Sequence, residues 1–218
     1  MTVAAVIVGA GAGRRFGGDK VFAELAGRPL VAHTVAAFEA APEVEAIVLV
    51  LREEMVPRGL ALVQEQGWQK VTAVVAGGPR RQDSVVAGLR QVSAEWVLVH
   101  DAARPLVTPD LIAQGLAAAQ ETGAAIAAVP VRDTVKRVDE NRIIATVDRA
   151  QLWLAQTPQV FRAELLELAL QSAHEVTDDA AAVEALGVPV RVFLGSERNV
   201  KVTTTSDLAL AEVLLRCG

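Results

Sequence analysis

The sequence predicts an α/β protein built on a doubly wound, mostly parallel sheet. Three observations carry that reading. Short aliphatic runs alternate with helix-length stretches along most of the 218 residues. Hydrophobic residues make up 52% of the chain and aromatic ones only 4%, so the core must be Val, Leu, Ile and Ala. That is the composition of strands covered by helices on both faces. Finally, the first aliphatic run empties directly into a glycine-rich loop, as happens where such sheets bind ligands.

The elements follow in order. Val3-Ala4-Ala5-Val6-Ile7-Val8 is the first buried strand. Residues 46–51, 71–75, 96–100 and 125–129 read as further short strands, and residues 29–41, 56–66, 83–92 and 109–122 as helices between them. Thr108-Pro109-Asp110 is a helix start: an N-cap hydroxyl, a proline in the first turn and an acid near the positive end of the dipole. Right-handed crossovers then bring the loops that follow the strands to one edge. Residues 133–148 break the alternation. Two β-runs, 134–138 and 142–147, flank Asp139-Glu140-Asn141 and read as a hairpin. An isolated hairpin is marginal in water, so this one needs a second surface. After it come helices over 163–174 and 178–186, with Gly187 suited to a C-cap, a strand over 190–194 and a last helix over 206–216. The length suits one domain, residues 1–218, with 133–149 as a projecting arm.

Composition excludes several classes. A net charge of −5 argues against a nucleic-acid partner. The one cysteine, Cys217, allows no internal disulfide, and a cytoplasmic location is expected. The apolar start has no preceding cationic region, and no apolar run is long enough for a membrane span, so no membrane partner is expected. His33, His100 and His174 are scattered without metal-ligand spacing, and no G-x-S-x-G elbow marks a serine hydrolase.

The chemistry concentrates in loops. After the first strand comes Gly9-Ala10-Gly11-Ala12-Gly13-Arg14-Arg15-Phe16-Gly17-Gly18-Asp19-Lys20. It is not a dinucleotide fingerprint, since the sixth position is Arg14 or Phe16 in the two frames. It is not a Walker A loop, since Asp19 stands where lysine is required. Glycines that let backbone N–H groups approach oxygen, closed by Arg-Arg and Lys, suit a polyphosphate. A solvated glycine turn is the plain alternative. Gly77-Gly78-Pro79-Arg80-Arg81-Gln82-Asp83-Ser84 follows the third strand. There the glycines bring backbone close to a flat base and Ser84 reaches its edge, or else Asp83 or Ser84 merely caps a helix. His100-Asp101-Ala102-Ala103-Arg104-Pro105 ends the next strand, with Asp101 either near a metal–triphosphate or paired with Arg104. Further clusters are Arg132-Asp133-Thr134-Val135-Lys136, Thr146-Val147-Asp148-Arg149, Thr177-Asp178 and Asn199-Val200-Lys201-Val202-Thr203. Thr177 is equally plausible as an N-cap, and Lys201 as a solvated lysine.

Taken together, G-x-G-R-R with Lys, G-G-x-x-R-Q-D-S, V-H-D-A-A-R-P, R-D-T-x-K, T-V-D-R, T-P-Q, T-D-D and N-x-K-V-T resemble the 2-C-methyl-D-erythritol 4-phosphate cytidylyltransferase family, in order and across essentially the whole chain. The resemblance implies a Rossmann-like nucleotidyltransferase fold. It also implies transfer of a cytidylyl group from CTP to methylerythritol 4-phosphate, with Mg²⁺ on the triphosphate and release of pyrophosphate. By motif position, Arg15 and Lys20 embrace the CTP phosphates and Lys201 lies at the α-phosphate. Gly9, Ala10, Gly11, Gly13, Gly78 and Ser84 line the nucleotide site, and Asp101 lies near the metal. Arg104, Thr177, Lys201 and Thr203 hold the substrate phosphate. Thr134 and Arg149 ride on an arm that in this family crosses a homodimer. Two departures stand out: Gly9 where the family commonly has alanine, and Pro79, which has no N–H to offer a base. The competing readings are a cytidylyltransferase for another polyol phosphate, such as ribitol or glycerol phosphate, and a non-catalytic nucleotide-binding regulator.

Overall fold

The computed structural model describes residues 1–11, 16, 18–172 and 176–217. Strand β1 (Val3–Val8) is followed by a single 3₁₀ turn, Lys20–Phe22, and a two-rung antiparallel pair, β2 (Glu24–Leu25) and β3 (Arg28–Pro29). Then come α1 (Leu30–Ala40), β4 (Ala46–Leu51), α2 (Val56–Gln66), β5 (Val71–Ala76), α3 (Arg81–Leu89), β6 (Trp96–Asp101), α4 (Pro109–Ala119) and β7 (Ala124–Pro130). The arm is β8 (Val135–Asp139) and β9 (Arg142–Val147). The chain closes with β10 (Trp153–Arg162), α5 (Ala163–Ser172), α6 (Asp179–Glu184), β11 (Arg191–Leu194) and α7 (Thr205–Arg216).

Among the described residues the main sheet has seven strands in the order β11-β7-β10-β6-β1-β4-β5. β1 pairs in parallel with β4 and β6, β4 with β5, and β7 with β11; only β10 runs antiparallel to its neighbours. Both faces are packed because side chains alternate with period two. In β1, Val3, Ala5 and Ile7 join one apolar cluster with Val35 and Phe38 of α1, while Val6 and Val8 join another with Val85 and Leu89 of α3. Burying each large aliphatic or aromatic side chain contributes about 2 kcal/mol, so the sheet's edge is a firm platform for loops.

The doubly wound, mostly parallel sheet is as expected, with corrections in detail. A ten-residue strand, β10, stands where no element is predicted between the hairpin and α5. Its middle, Gln156-Thr157-Pro158-Gln159, is polar and yet buried, which hides it from a hydrophobicity pattern. Helix α3 begins at Arg81, not Asp83, and Arg80 is its N-cap. Asp83 closes the box from inside the helix, accepting the Arg80 N–H at 3.1 Å. For α6 the N-cap is Asp178, accepting the Ala181 N–H at 3.0 Å, and not Thr177. Gly187 takes a left-handed conformation (φ +77°) just beyond the C-cap residue, Ala185. The hairpin turns through Glu140 and Asn141, both at positive φ (43° and 63°), the pattern of a type I′ turn.

Candidate active site

Three parallel strands end at one edge, and the bonds beyond them hold their loops side by side. Gly9 N–H donates to the Val50 carbonyl at 2.7 Å, Gly77 N–H to that of Leu51 at 2.7 Å and Ala102 N–H to that of Val8 at 2.9 Å. The first two loops touch so closely that a Cβ on Gly77 would lie 2.5 Å from both Ala10 Cβ and Ser84 Oγ. Glycine is required there for closeness, not for its dihedrals. Buried Ser84 accepts the Gly78 N–H at 3.2 Å and donates to the Arg80 carbonyl at 3.2 Å, which fixes the shape of the second loop.

These loops surround a cavity of about 360 Å³ whose lining includes Gly9, Gly78, Ser84, Lys20, Asp101 and Lys201. A second cavity of about 260 Å³ adjoins it, sharing Arg81, Asp101 and Lys201 and adding Arg104, Gln156 and Thr177. Lys201 enters between them because its neighbours face away. Val202 is fully buried and Val200 partly so, against Leu25 and Leu30. Val202 N–H donates to the Ala103 carbonyl at 2.8 Å, and its own carbonyl accepts from Lys20 Nζ at 3.4 Å. The two lysines of widely separated motifs are thus tied to one short segment.

The electrostatic centre is Asp101, at the last position of β6. Its Oδ2 lies 2.7 Å from Lys201 Nζ and 3.6 Å from Arg104 Nε, and its Oδ1 lies 3.4 Å from Arg81 Nε. Burial opposes charge on this carboxyl, but Lys201 and Arg81, then Arg104, outweigh it and hold its pKa well below the usual range. The Lys201 side chain is still 40% exposed, so its ammonium reaches solvent and incoming anions. Arg104 is anchored by donating to the Asn199 carbonyl at 2.7 Å.

A buried polar chain holds the backbone beneath. Asp101 N–H donates to the Thr157 hydroxyl at 3.1 Å, which lies 3.0 Å from His100 Nδ1. His100 Nε2 is 3.3 Å from the Arg104 carbonyl, an acceptor only, so Nε2 carries the proton and Nδ1 accepts. Burial lowers the His100 pKa to about 3, so the ring stays neutral through the physiological range. Asn199 Nδ2 donates to the Thr157 carbonyl at 2.7 Å, binding the Lys201 segment to β10.

With this geometry in hand, the comparisons decide the family. The family model described as "IspD: 2-C-methyl-D-erythritol 4-phosphate cytidylyltransferase" matches residues 3–217. The chain belongs to this family. It is 48% identical to 2-C-methyl-D-erythritol 4-phosphate cytidylyltransferase of Dehalococcoides mccartyi (strain CBDB1), over 99% of this chain and 97% of that protein. It is 42% identical to the Geobacter metallireducens protein of the same name, over 99% and 98%. Among solved structures it resembles the cytidylyltransferase of Thermus thermophilus with a TM-score of 0.82, at 35% identity over 99% of this chain and 98% of that one. It resembles the 4-diphosphocytidyl-2C-methyl-D-erythritol synthase of Anaerococcus prevotii with a TM-score of 0.86, at 28% identity over 99% and 98%. The fold is that of these nucleotidyltransferases.

The family's motif residues fall in different places here. Gly9, Ala10, Gly11, Lys20, Gly78, Ser84, Asp101 and Lys201 meet around the first cavity, and Arg104 and Thr177 join at the second. Thr203 lines neither; its hydroxyl donates to Asp207 at 2.6 Å. Thr134 and Arg149 are exposed at the base of the arm, apart from both cavities of their own chain. Gly13 and Arg15 lie outside the described residues. Of the family departures, Gly9 has a physical reason. A Cβ there would sit 3.1 Å from both Ala102 Cβ and Leu51 Cδ2, so here glycine relieves a tight contact. Pro79 lines the first cavity as an apolar wall. Sequence reasoning gave no role to Arg81, Asp179, Thr157 or Asn199. Arg81 stood inside a quoted motif, but its buried partner is distant in sequence.

Proposed function

We propose that the chain transfers the cytidylyl group of CTP to 2-C-methyl-D-erythritol 4-phosphate, giving 4-diphosphocytidyl-2-C-methyl-D-erythritol and pyrophosphate. One observation carries this beyond family membership: Lys20, Lys201, Arg81 and Arg104 converge on two adjoining cavities that share one carboxylate, Asp101. A phosphate oxygen of the acceptor attacks the α-phosphorus of CTP. The bond from that phosphorus to the β-phosphate bridging oxygen breaks, and pyrophosphate leaves with the electron pair. The attacking oxygen is already anionic, so no general base is needed. The site's work is to position two anions and offset their charge. Lys20, with Arg15 of the same loop, holds the triphosphate. Lys201 serves the α-phosphate between the two cavities, and Arg104 and Thr177 hold the acceptor phosphate.

Mg²⁺ fits this donor set as a rider on the triphosphate. Among the described residues no cluster of three His, Cys, Asp or Glu side chains forms a cage, and Asp101 is the acid lining the first cavity. When bound, the ion would offset phosphate charge. We also read the chain as one nucleotidyltransferase domain whose arm, residues 133–149, makes a homodimer and carries Thr134 and Arg149 to the second copy's site. The arm's exposed Val138, Ile143 and Ile144 support this. A cytoplasmic location agrees with the exposed free thiol of Cys217.

The test is pyrophosphate release from CTP with a panel of polyol phosphates. Methylerythritol 4-phosphate should be preferred over ribitol and glycerol phosphates. CTP should exceed UTP by about 10² in kcat/KM, because the cytosine amino group donates where uracil accepts. Preference for another polyol phosphate overturns the acceptor assignment, and equal use of UTP overturns the base pocket around Gly78 and Ser84.

A further inference from the structure

Arg81 is the first residue of α3, and it lines both cavities. Its guanidinium is shared between two carboxylates on two other elements. NH1 donates to Asp179 Oδ2 at 2.7 Å, and Nε faces Asp101 Oδ1 at 3.4 Å. Asp179, with a side chain only 1% exposed, is the first residue of α6, where the helix's unpaired N–H groups favour negative charge. Its other oxygen, Oδ1, makes no hydrogen bond among the described residues. The pair is therefore a poor device for stability alone. A buried ion pair seldom repays its desolvation, and this one leaves an acceptor unused.

The arrangement around Asp101 gives the pair another purpose. Asp101's two oxygens have different tasks: Oδ1 faces Arg81, and Oδ2 faces Lys201 and Arg104. With Oδ1 held, the carboxylate cannot turn about its Cβ–Cγ bond, and Oδ2 stays aimed at the Lys201 ammonium. Arg81, with Arg104, also offsets the Asp101 charge independently of Lys201.

We propose that Arg81 and Asp179 form a positioning pair for cytidylyl transfer: Asp179 anchors the guanidinium from within α6, and Arg81 sets the orientation of Asp101 and thereby the place of Lys201 between the two cavities. This rests on the activity proposed above.

A double-variant series separates positioning from packing. Arg81→Gln leaves Asp179 as a buried, unpaired carboxylate, so both Tm and turnover should fall. Adding Asp179→Asn removes that charge and places two amides side by side, so Tm should recover. Turnover should not recover: kcat/KM with CTP should stay about 10²-fold below wild type, the scale of a lost preorganised charge. Asp179→Asn alone should lower kcat about 10-fold, since the guanidinium keeps its charge but loses its anchor. In all three the CTP-to-UTP preference should match wild type, because the base loops are untouched. A double variant that regains turnover along with Tm, or an Arg81→Gln protein with wild-type kcat, overturns the positioning role. A wild-type chain that releases no pyrophosphate from CTP overturns the activity itself, and the pair's role with it.

Discussion

Two regions of this molecule solve opposite problems. At the carboxyl edge of the sheet, charged groups are buried and multiply held: Asp101 faces three cations, and Arg81 two carboxylates. On the β8–β9 arm, apolar groups are exposed on a two-stranded ladder; Ile143 and Ile144 are 65% and 58% exposed. The ionic ties around Asp101 are completed within the chain itself. A lone two-stranded ribbon, by contrast, is marginal in water, and its apolar side chains gain nothing there. The difference separates charges that the chain itself offsets from apolar side chains that it leaves in water.

The sharpest way to break that contrast is to divide one site between two chains. Arg149→Ala and Lys20→Ala proteins should each be severely impaired. Mixed under conditions that allow subunit exchange, they should regain activity, because in a heterodimer one site carries both defects and the other neither. With random exchange about one quarter of all sites become intact. A mixture that stays impaired after exchange is verified, or a chain that sediments as a monomer at working concentration, removes the shared site and leaves the arm's apolar side chains unexplained.

A second experiment works within the edge region. Lys20→Ala should lower kcat by about 10²–10³, the cost of removing one preorganised charge donor, with little change in Tm. The Lys20 ammonium stands at the cavity wall, 3.4 Å from the Val202 carbonyl, rather than in an apolar cluster. Turnover like that of the wild type would show that the glycine loop holds phosphate without this lysine.

The same contrast governs what could be read from sequence. Elements marked by aliphatic runs, helix caps or turn residues were legible: the parallel strands, most helices and the hairpin. β10 was not, because Gln156, Thr157 and Gln159 are buried for hydrogen bonding rather than for apolarity. Gln159 donates to Asp178 and accepts from Ala180, setting the start of α6; Gln156 brackets Ser196. Such residues mark a strand only once their partners are known. At the site, the loops and lysines were legible because motif order and strand ends place them. The Arg81–Asp179 contact was not, since it joins positions 98 apart and no local pattern announces a long-range ion pair. Arg149 was legible as a cation of the arm, but nothing within one chain gives its destination.

The smallest expected effect concerns Thr203, a motif residue that the fold uses as a strut. Asp207 Oδ2 accepts from Thr203 Oγ1 at 2.6 Å and from the Thr203 and Thr204 N–H groups, each at 2.8 Å. Thr204 returns the bond as N-cap of α7, accepting the Asp207 N–H at 3.2 Å. This box sits just past Lys201 and ties its segment to the last helix. The Thr203 hydroxyl, then its N–H and those of Thr204, lower the Asp207 pKa from 3.8 to about 2. A carboxyl whose folded pKa is depressed contributes stability that is fully present above its unfolded value and is lost as pH falls through the folded one. Asp207→Asn should therefore cost about 1 kcal/mol near neutral pH, the scale of one hydrogen bond. That corresponds to a fall in Tm of about 2–4 °C for a chain of this size. The gap between the two melting curves should narrow as pH drops below about 4, because the wild-type carboxylate takes up the proton that the amide never needs. Calorimetry of both proteins from neutral pH down to the acid limit of folding checks this. A gap that stays constant or widens with acid would mean that the strut draws nothing from charge. Lys201 would then owe its place to Val202, buried beside it, and to partly buried Val200 rather than to the charge of Asp207.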